Sequence, residues 1–307
     1  MSFSFKHLIS AWCVALFVAA APSLAYAQQA KFPSAEAAAE AFVDAIARGD
    51  DDAVRAILGT NYRKVLPLDK MTQDDKLDFL SAWAQDHRVV AQSENMAVLE
   101  VGKTHWSLPI PMFKGPGGWA FDTLAGADEL VTRRIGRNEL WAMEAVLAYF
   151  DAQKEYARKE RQPGMGLMYA QKFFSTPGKQ DGLYWETAAG EEPSPLGPAY
   201  SAATGRDGTY HGYRFRILTG QGKNANGGAY DYRIKGRMSA GFALIAWPVQ
   251  FGKTGIMSFM VSHEGVVFQK NLGPNGDAVA RAMQRFDHDA SWQAVVPASA
   301  MAASATK

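Results

Sequence analysis

Between Arg133 and Ala157 the chain reads RRIGRNELWAMEAVLAYFDAQKEYA. In and around this stretch Leu130, Ile135, Leu140, Met143, Val146, Leu147, Phe150 and Ala157 recur at helical spacing. The pattern predicts one long helix from about Ala127 to Arg161, ended by Pro163 and Gly164. Gly136 predicts a kink, or a break into two helices, near its start. Downstream the character changes. Tyr210–Thr219, Tyr230–Lys235, Gly241–Val249, Gly255–Ser262 and Val266–Lys270 read as strands, with turn material at Gly220–Gly228 and His263–Gly265. A last helix opens at Asn275 or Asp277 and runs to about Arg285. The second half therefore reads as a long helix packed on an antiparallel sheet.

Upstream of the long helix the order is helix, helix, helix, then strands. Ser34 is placed to cap a helix to Arg48, with Ala38, Ala41, Phe42, Ala45 and Ile46 on one face. Asp50 caps a second that presents Val54, Ile57 and Leu58. Thr72 and Asp75 make a capping box for a third, Gln73 to about His87, with Leu77, Leu80, Trp83 and Ala84 as its apolar face. Arg88–Ala91, Met96–Val101, His105–Phe113 and Trp119–Asp122 read as strands, the last two joined by the turn cluster at Lys114–Gly118. The fold class that follows is α+β, in two units. Residues 28–123 form a small unit of helices and antiparallel sheet. Residues 124–296 form the long helix with its sheet.

The two ends read differently. Lys6 and His7 precede an apolar run from Leu8 to Ala21, Pro22 breaks it, and Ala25-Tyr26-Ala27 is a small-residue cleavage site. The run is about 14 residues, short of the roughly 20 a bilayer span needs. Residues 1–27 are thus expected to be a signal peptide cleaved after Ala27, leaving a periplasmic or secreted protein with no transmembrane anchor. The Ala- and Ser-rich end, 297–307, is expected to be a disordered tail. The one cysteine, Cys13, lies inside the leader, so the mature chain is expected to carry no thiol, disulfide or thiolate metal site. Removing the leader takes one lysine and no acid, so 31 basic residues face 31 acidic ones. That balance gives no footprint for nucleic acid.

Several long motifs occur in order: the stretch quoted first, then DGLYW (Asp181–Trp185), SPLGP (Ser194–Pro198), YHGYRFRILTGQG (Tyr210–Gly222), GGAYDY (Gly227–Tyr232), GRMSAGFALIAWP (Gly236–Pro248) and GVVFQKNLGP (Gly265–Pro274). Together they resemble a family of secreted bacterial proteins catalogued as a domain of unknown function, over nearly the whole mature chain. The resemblance implies export and one architecture, and it carries over no catalytic residue. The helix bearing Ala152–Tyr156, followed by the strand bundle, also resembles the globular part of pseudopilins. The pseudopilin membrane half-helix and processing site have no counterpart here. The stretch Ala38–Asp50, AAEAFVDAIARGD, resembles the helix pair that opens nuclear-transport-factor-like (cystatin-like) domains, which implies a cone of helices on a curved sheet for 28–123.

Two constellations are candidates for ligand binding. Asp181 beside Tyr184 and Trp185 suits a concave polar site in which sugar CH faces stack on rings. The same residues describe, more simply, an Asp-Gly turn followed by two core aromatics. Arg133, Arg134 and Arg137 can clamp a carboxylate or phosphate. Asp128, Glu129 and Glu139 lie within helical reach and read as their ion-pair partners. The remaining motifs point elsewhere. His263-Glu264 lacks the second histidine of H-E-x-x-H and reads as a hairpin tip. GQGKNANGG (Gly220–Gly228) lacks phosphate-loop spacing and reads as a hairpin loop. His87, His105, His211 and His288 are scattered, and no G-x-S-x-G elbow occurs. No cofactor and no metal are expected. The chain thus reads first as an exported envelope protein, a non-enzymatic binding or interaction module for an envelope protein or a small polar or glycan ligand. One alternative is an envelope-polymer hydrolase using Asp181 with a second carboxylate; another is a secretion or pilus-assembly accessory.

Overall fold

The computed structural model describes residues 29–188, 190–197 and 209–295. The leader 1–27 and the tail 297–307 lie outside the described residues. The fold is α+β, and the chain separates into two compact units that divide between Leu124 and Ala125.

In the first unit three α-helices start on side-chain caps, which satisfy donors that a helix N-terminus leaves free. Ser34 accepts the Ala37 N–H and opens α1 (Ala35–Arg48), and Asp50 accepts the Ala53 N–H and opens α2 (Asp51–Leu58). Thr72 and Asp75 close a reciprocal box at α3 (Gln73–Gln85). The strands are β1 (His87–Ser93), β2 (Met96–Val101), β3 (Trp106–Ser107), β4 (Met112–Gly115) and β5 (Gly118–Phe121). They form one antiparallel sheet in the order β1-β2-β4-β5, with β3 beside β2. Phe42 of α1 packs its ring 5.3 Å from that of Phe121 in β5 and 6.2 Å from that of Phe79 in α3.

Two expectations for this unit need correction. His105–Phe113 makes two short strands rather than one, because Pro109 and Pro111 have no N–H to give a ladder. The face of α3 is also rotated from the expected one. Phe79 turns toward Phe42, while Leu77 stands 53 % exposed.

The second unit is built on α4 (Thr123–Tyr156) and a six-stranded antiparallel sheet. The strands are β6 (Thr209–Tyr210), β7 (Tyr213–Leu218), β12 (Ala243–Pro248), β13 (Met257–Ser262), β14 (Val267–Asn271) and β15 (Gln293–Ala294), in the order β15-β14-β13-β12-β7-β6. Two small pairs, β8 (Gly220–Gln221) with β9 (Tyr230–Asp231) and β10 (Arg233–Ile234) with β11 (Arg237–Met238), interrupt the sequence. Strand β12, ALIAWP, is buried at every position, so both its faces are covered. The short α5 (Gly276–Ala282) packs against it, with Asp277 accepting the Trp247 indole N–H at 2.8 Å.

Helix α4 runs through Gly136 without a break, starting earlier than expected at Thr123 and stopping earlier at Tyr156. Its buried face is Asn138, Ala142, Ala145, Val146, Tyr149, Ala152, Gln153 and Tyr156, at helical spacing. Hydropathy selects part of this face: Val146 is fully buried and Met143, Leu147 and Phe150 pack against the core, but Leu140 is 58 % exposed. Alanines take up part of this face, and the longer polar side chains reach specific backbone groups. Asn138 donates to the Thr254 carbonyl at 2.8 Å, and Glu139 accepts the Ile256 and Met257 N–H groups at 2.8 and 2.9 Å. Tyr149 donates to the Ala243 carbonyl of β12 at 3.2 Å.

The stretch Tyr210–Thr219 is broken, and Tyr230–Lys235 is ended, by a feature the strand pattern hides. His211-Gly212 joins β6 to β7, and Lys235-Gly236 joins β10 to β11. Both residues of each pair have positive φ (46° and 76°; 52° and 78°), the requirement of the type I′ hairpin turn. The last helix is also shorter than expected, stopping at Ala282, after which Met283 is extended.

At the other end of α4 the side chain of Gln153, 0 % exposed, acts as a surrogate strand. Its Oε1 accepts the Ala170 N–H at 2.8 Å, and its Nε2 donates to the Ala170 carbonyl at 2.8 Å and to the Tyr149 hydroxyl at 3.0 Å. Gln153→Leu would orphan a buried donor and a buried acceptor together. Urea unfolding of this variant should show a loss of about 3 kcal/mol. Gln153→Glu should not rescue it, because a carboxylate cannot donate to the Ala170 carbonyl.

Candidate functional site

From Ala157 to Gly197 the described residues form no helix, and no strand beyond a single parallel bridge between Phe174 and Tyr184. Backbone groups in such a segment still need partners. Besides the Gln153 clasp, Tyr156 at the end of α4 donates to the Gln180 carbonyl at 2.7 Å. Leu183 and Tyr184 donate to the Lys172 and Phe173 carbonyls, and Ser175 donates back to Tyr184. Gly182 is what lets these two stretches meet. A Cβ there would lie 2.7 Å from the Phe174 carbonyl carbon and the Ser175 nitrogen. The Asp181-Gly182 pair, read from sequence as a turn, is thus a close approach between two chain segments.

Asp181 organises the loop that results. Its carboxylate accepts the Lys172 ammonium at 2.7 Å, the Thr176 N–H at 2.7 Å and the Thr176 hydroxyl at 2.9 Å. Burial alone would raise its pKa, but these donors outweigh it and hold the carboxyl at about 2, from an ordinary 3.8. A group held this way stays ionised where a general acid must carry its proton.

Beside this loop opens a cleft of about 690 Å³, lined by Phe174, Thr176–Gln180, Tyr184, Trp185, Glu186 and Glu191. The size is that of a small-molecule site, about 300–1,000 Å³. Phe174 and Tyr184 meet edge to face, 5.9 Å apart at 77°. Leu183, between Gly182 and Tyr184, is fully buried in the core. Trp185 is only 8 % exposed, and its indole N–H has no partner among the described residues. Against its ring stands Arg161, with Cζ 5.2 Å from the ring centroid and a side chain 4 % exposed. Arg161 grips both oxygens of Glu192 at 3.3 Å, and Lys159 reaches the same carboxylate at 2.8 Å. Lys159 first, then Arg161, holds that carboxyl below its usual range. Sequence reasoning missed Arg161 and Glu192. Arg161 reads as the polar end of a helix, and its partner lies beyond a loop.

The arginine cluster is placed elsewhere. Arg133 pairs with Glu129 at 2.7 Å, Arg134 donates to the Lys253 carbonyl at 3.2 Å, and Arg137 is exposed. Glu139, expected among their ion-pair partners, instead accepts the backbone N–H groups of Ile256 and Met257 at the start of β13. Arg137 and Tyr156 are 19 residues apart on α4, roughly 28 Å along the axis. The two candidate groups therefore do not converge on one site. His263-Glu264 is the tip of the β13–β14 hairpin, as its pattern implies, with Glu264 accepting the Asn226 side chain at 2.9 Å. The glycine-rich loop is tied down by Gln221, which donates to the Asn226 and Gly228 carbonyls, and by Asp287, which accepts the Asn224 N–H. No group of His, Cys, Asp and Glu among the described residues is arranged to hold a metal ion.

The depressed Asp181 pKa fixes a pH dependence. The stabilisation by the Asp181 carboxylate is complete above its ordinary value and is lost as pH falls through about 2. Hydrogen exchange in the Thr176–Gly182 loop should stay slow at pH 4 and rise sharply between pH 3 and 2. Asp181→Asn should remove that step and lower stability at neutral pH by about 1 kcal/mol.

No curated protein and no solved structure matches the chain. A family model does, over residues 29–295, and its description is protein of unknown function (DUF2950). With nearly all of the chain covered, this protein belongs to that family.

Proposed function

We propose that the chain is exported, with residues 1–27 removed, and works in the cell envelope as a non-enzymatic binding module whose site is the Tyr184–Trp185 cleft. The three-part leader supports the first half of this reading. So does the family match, which begins at residue 29, just beyond the expected cleavage point. The observation that carries the second half is the cleft itself, a concave site with aromatic walls and an unpaired buried N–H at Trp185. Asp181, the carboxylate that a hydrolytic role would draw on, is committed to Lys172 and Thr176. The bands of exposed ring and the polar rim suit a small polar ligand, with the rings taking CH faces and the rim giving direction.

Two measurements test the two halves. Protein recovered from a secreting host should have the intact mass of a chain starting at Gln28. A mass that retains Met1 or Cys13 would overturn the export reading. Hydrogen exchange on the mature protein, with and without soluble envelope glycan fragments, should show protection confined to Lys172–Glu186. Tyr184→Ala should abolish that protection in a protein that stays folded, as far-UV circular dichroism checks. Protection that survives Tyr184→Ala, or none with any fraction, would remove the cleft as the site.

A further inference from the structure

We propose that Asn226 is a self-modification site: its side-chain amide is lost to the Gly227 backbone nitrogen, and the product releases the glycine-rich loop from the β13–β14 hairpin tip. The only co-reactant is water. The Gly227 nitrogen attacks the Asn226 side-chain carbonyl carbon, the C–N bond of the amide breaks, and ammonia leaves with the proton that the attacking nitrogen carried. A cyclic imide remains. Water then opens it at one carbonyl or the other, to aspartate or to isoaspartate, and each product carries a new carboxylate.

Three Asn-Gly or Asp-Gly pairs lie among the described residues: Asp181-Gly182, Asn226-Gly227 and Asn275-Gly276. Glycine favours this chemistry because no side chain obstructs its nitrogen. Sequence marks all three alike, and the structure separates them. The Gly182 N–H donates to the Ser175 hydroxyl at 2.9 Å, and the Asp181 carboxylate is held by Lys172 and Thr176. The Gly276 N–H donates to the Gly273 carbonyl at 2.9 Å, and Gly276 is buried as the first residue of α5. In both pairs the attacking nitrogen is occupied, and attack has to break its hydrogen bond first.

Asn226-Gly227 differs on each count. Both residues are exposed. They are the central pair of a turn closed by the Gly228 N–H on the Ala225 carbonyl at 3.0 Å, with Gly227 at φ 81°. That hydrogen bond bypasses the Gly227 N–H, which has no partner among the described residues. A Cβ built on Gly227 would meet nothing closer than 3.9 Å, so the site is open.

The amide now has a structural task. Asn226 Nδ2 donates to the Glu264 carboxylate at 2.9 Å and so ties the loop to the hairpin tip. Either product replaces that donor by an anion, which sets carboxylate against carboxylate. In isoaspartate the main chain also lengthens by one carbon, and the Asn226 carbonyl that Gln221 holds becomes part of the free carboxylate.

Peptide mapping of the mature full chain, aged folded at mildly alkaline pH and in parallel in urea, tests this. Trypsin releases Asn224–Arg233 and Asn271–Arg281, so each Asn-Gly pair travels with a second asparagine, Asn224 or Asn271, as its control. In the folded protein Asn226 should deamidate at least about tenfold faster than Asn275, because Asn275 waits for local opening. In urea the two should react at similar rates. Equal rates in the folded protein, or an Asn226 no faster than Asn224, would overturn the site. Asn226→Asp carries one product directly. Its hydrogen exchange over Gly222–Tyr230 should run about two- to fivefold faster than in the parent protein, with α4 unchanged. Exchange equal to the parent's would overturn the release of the loop.

Discussion

The second unit depends on one buried amide. Gln153 sits on α4 with no exposure and satisfies both backbone groups of Ala170 while holding the Tyr149 hydroxyl. A long segment without regular structure is rare inside a compact unit, because its backbone groups need partners and its ordering entropy is large. Gln153 supplies to Ala170 what a neighbouring strand would, and from that anchor the other ties follow. Tyr156, one turn further along the helix, fixes Gln180. Just past those anchors the chain folds back on itself at Gly182, beside the cleft. The site is thus positioned by a helix, although every residue that lines it is on a loop.

This dependence also explains how much of the fold can be read from sequence. Helix caps are local, so Ser34, Asp50 and the Thr72–Asp75 pair declare three helix starts from a few residues each. The long helix and the apolar run of β12 are legible for a similar reason: period and length suffice. The face that α4 buries is legible only in part, through Val146 and its neighbours Met143, Leu147 and Phe150, which pack against the core. Hydropathy assigns Leu140 inward and Asn138 and Gln153 outward, and the structure does the reverse. The deciding energies lie in hydrogen bonds to Thr254 and Ala170, far off in sequence. The hairpins at His211-Gly212 and Lys235-Gly236 escaped for a different reason. Their first residue is neither Asn nor Asp, so only the glycine marks the turn.

Within the site, the stretch Asp181–Trp185 can be singled out from sequence, but not the division of labour inside it. Asp181 builds the loop, Gly182 lets two segments touch, Leu183 enters the core, Tyr184 forms a wall and Trp185 lines the cleft with its own N–H buried and unpaired among the described residues. Five consecutive residues with five roles carry no periodicity for a pattern to find. Arg161 and Glu192 are invisible in another way. Each looks like ordinary surface charge, and only the fold brings them together against the Trp185 ring. The arginines of α4 show the converse. Their clustering in sequence is conspicuous, yet the helix sends them to separate partners on a different part of the unit.

What separates a binding site from packing is where unsatisfied polar groups fall. Two further buried side-chain nitrogens lack partners among the described residues, Arg161 Nε and His263 Nδ1. The histidine sits edge-on to the Tyr232 and Phe242 rings, and a Cβ at Gly241 would come within 2.8 Å of its Nδ1. An imidazole has a tautomer in which that nitrogen bears no proton, so enclosure by rings leaves only a lone pair without a partner. An indole has no such escape: its nitrogen keeps its hydrogen at every accessible pH. Arg161 lies over the same indole. The indole that cannot shed its hydrogen belongs to a residue that lines the cleft, with Arg161 over its ring, while the one nitrogen that can is enclosed among aromatic rings. A core selected for stability alone gains nothing from placing them that way round.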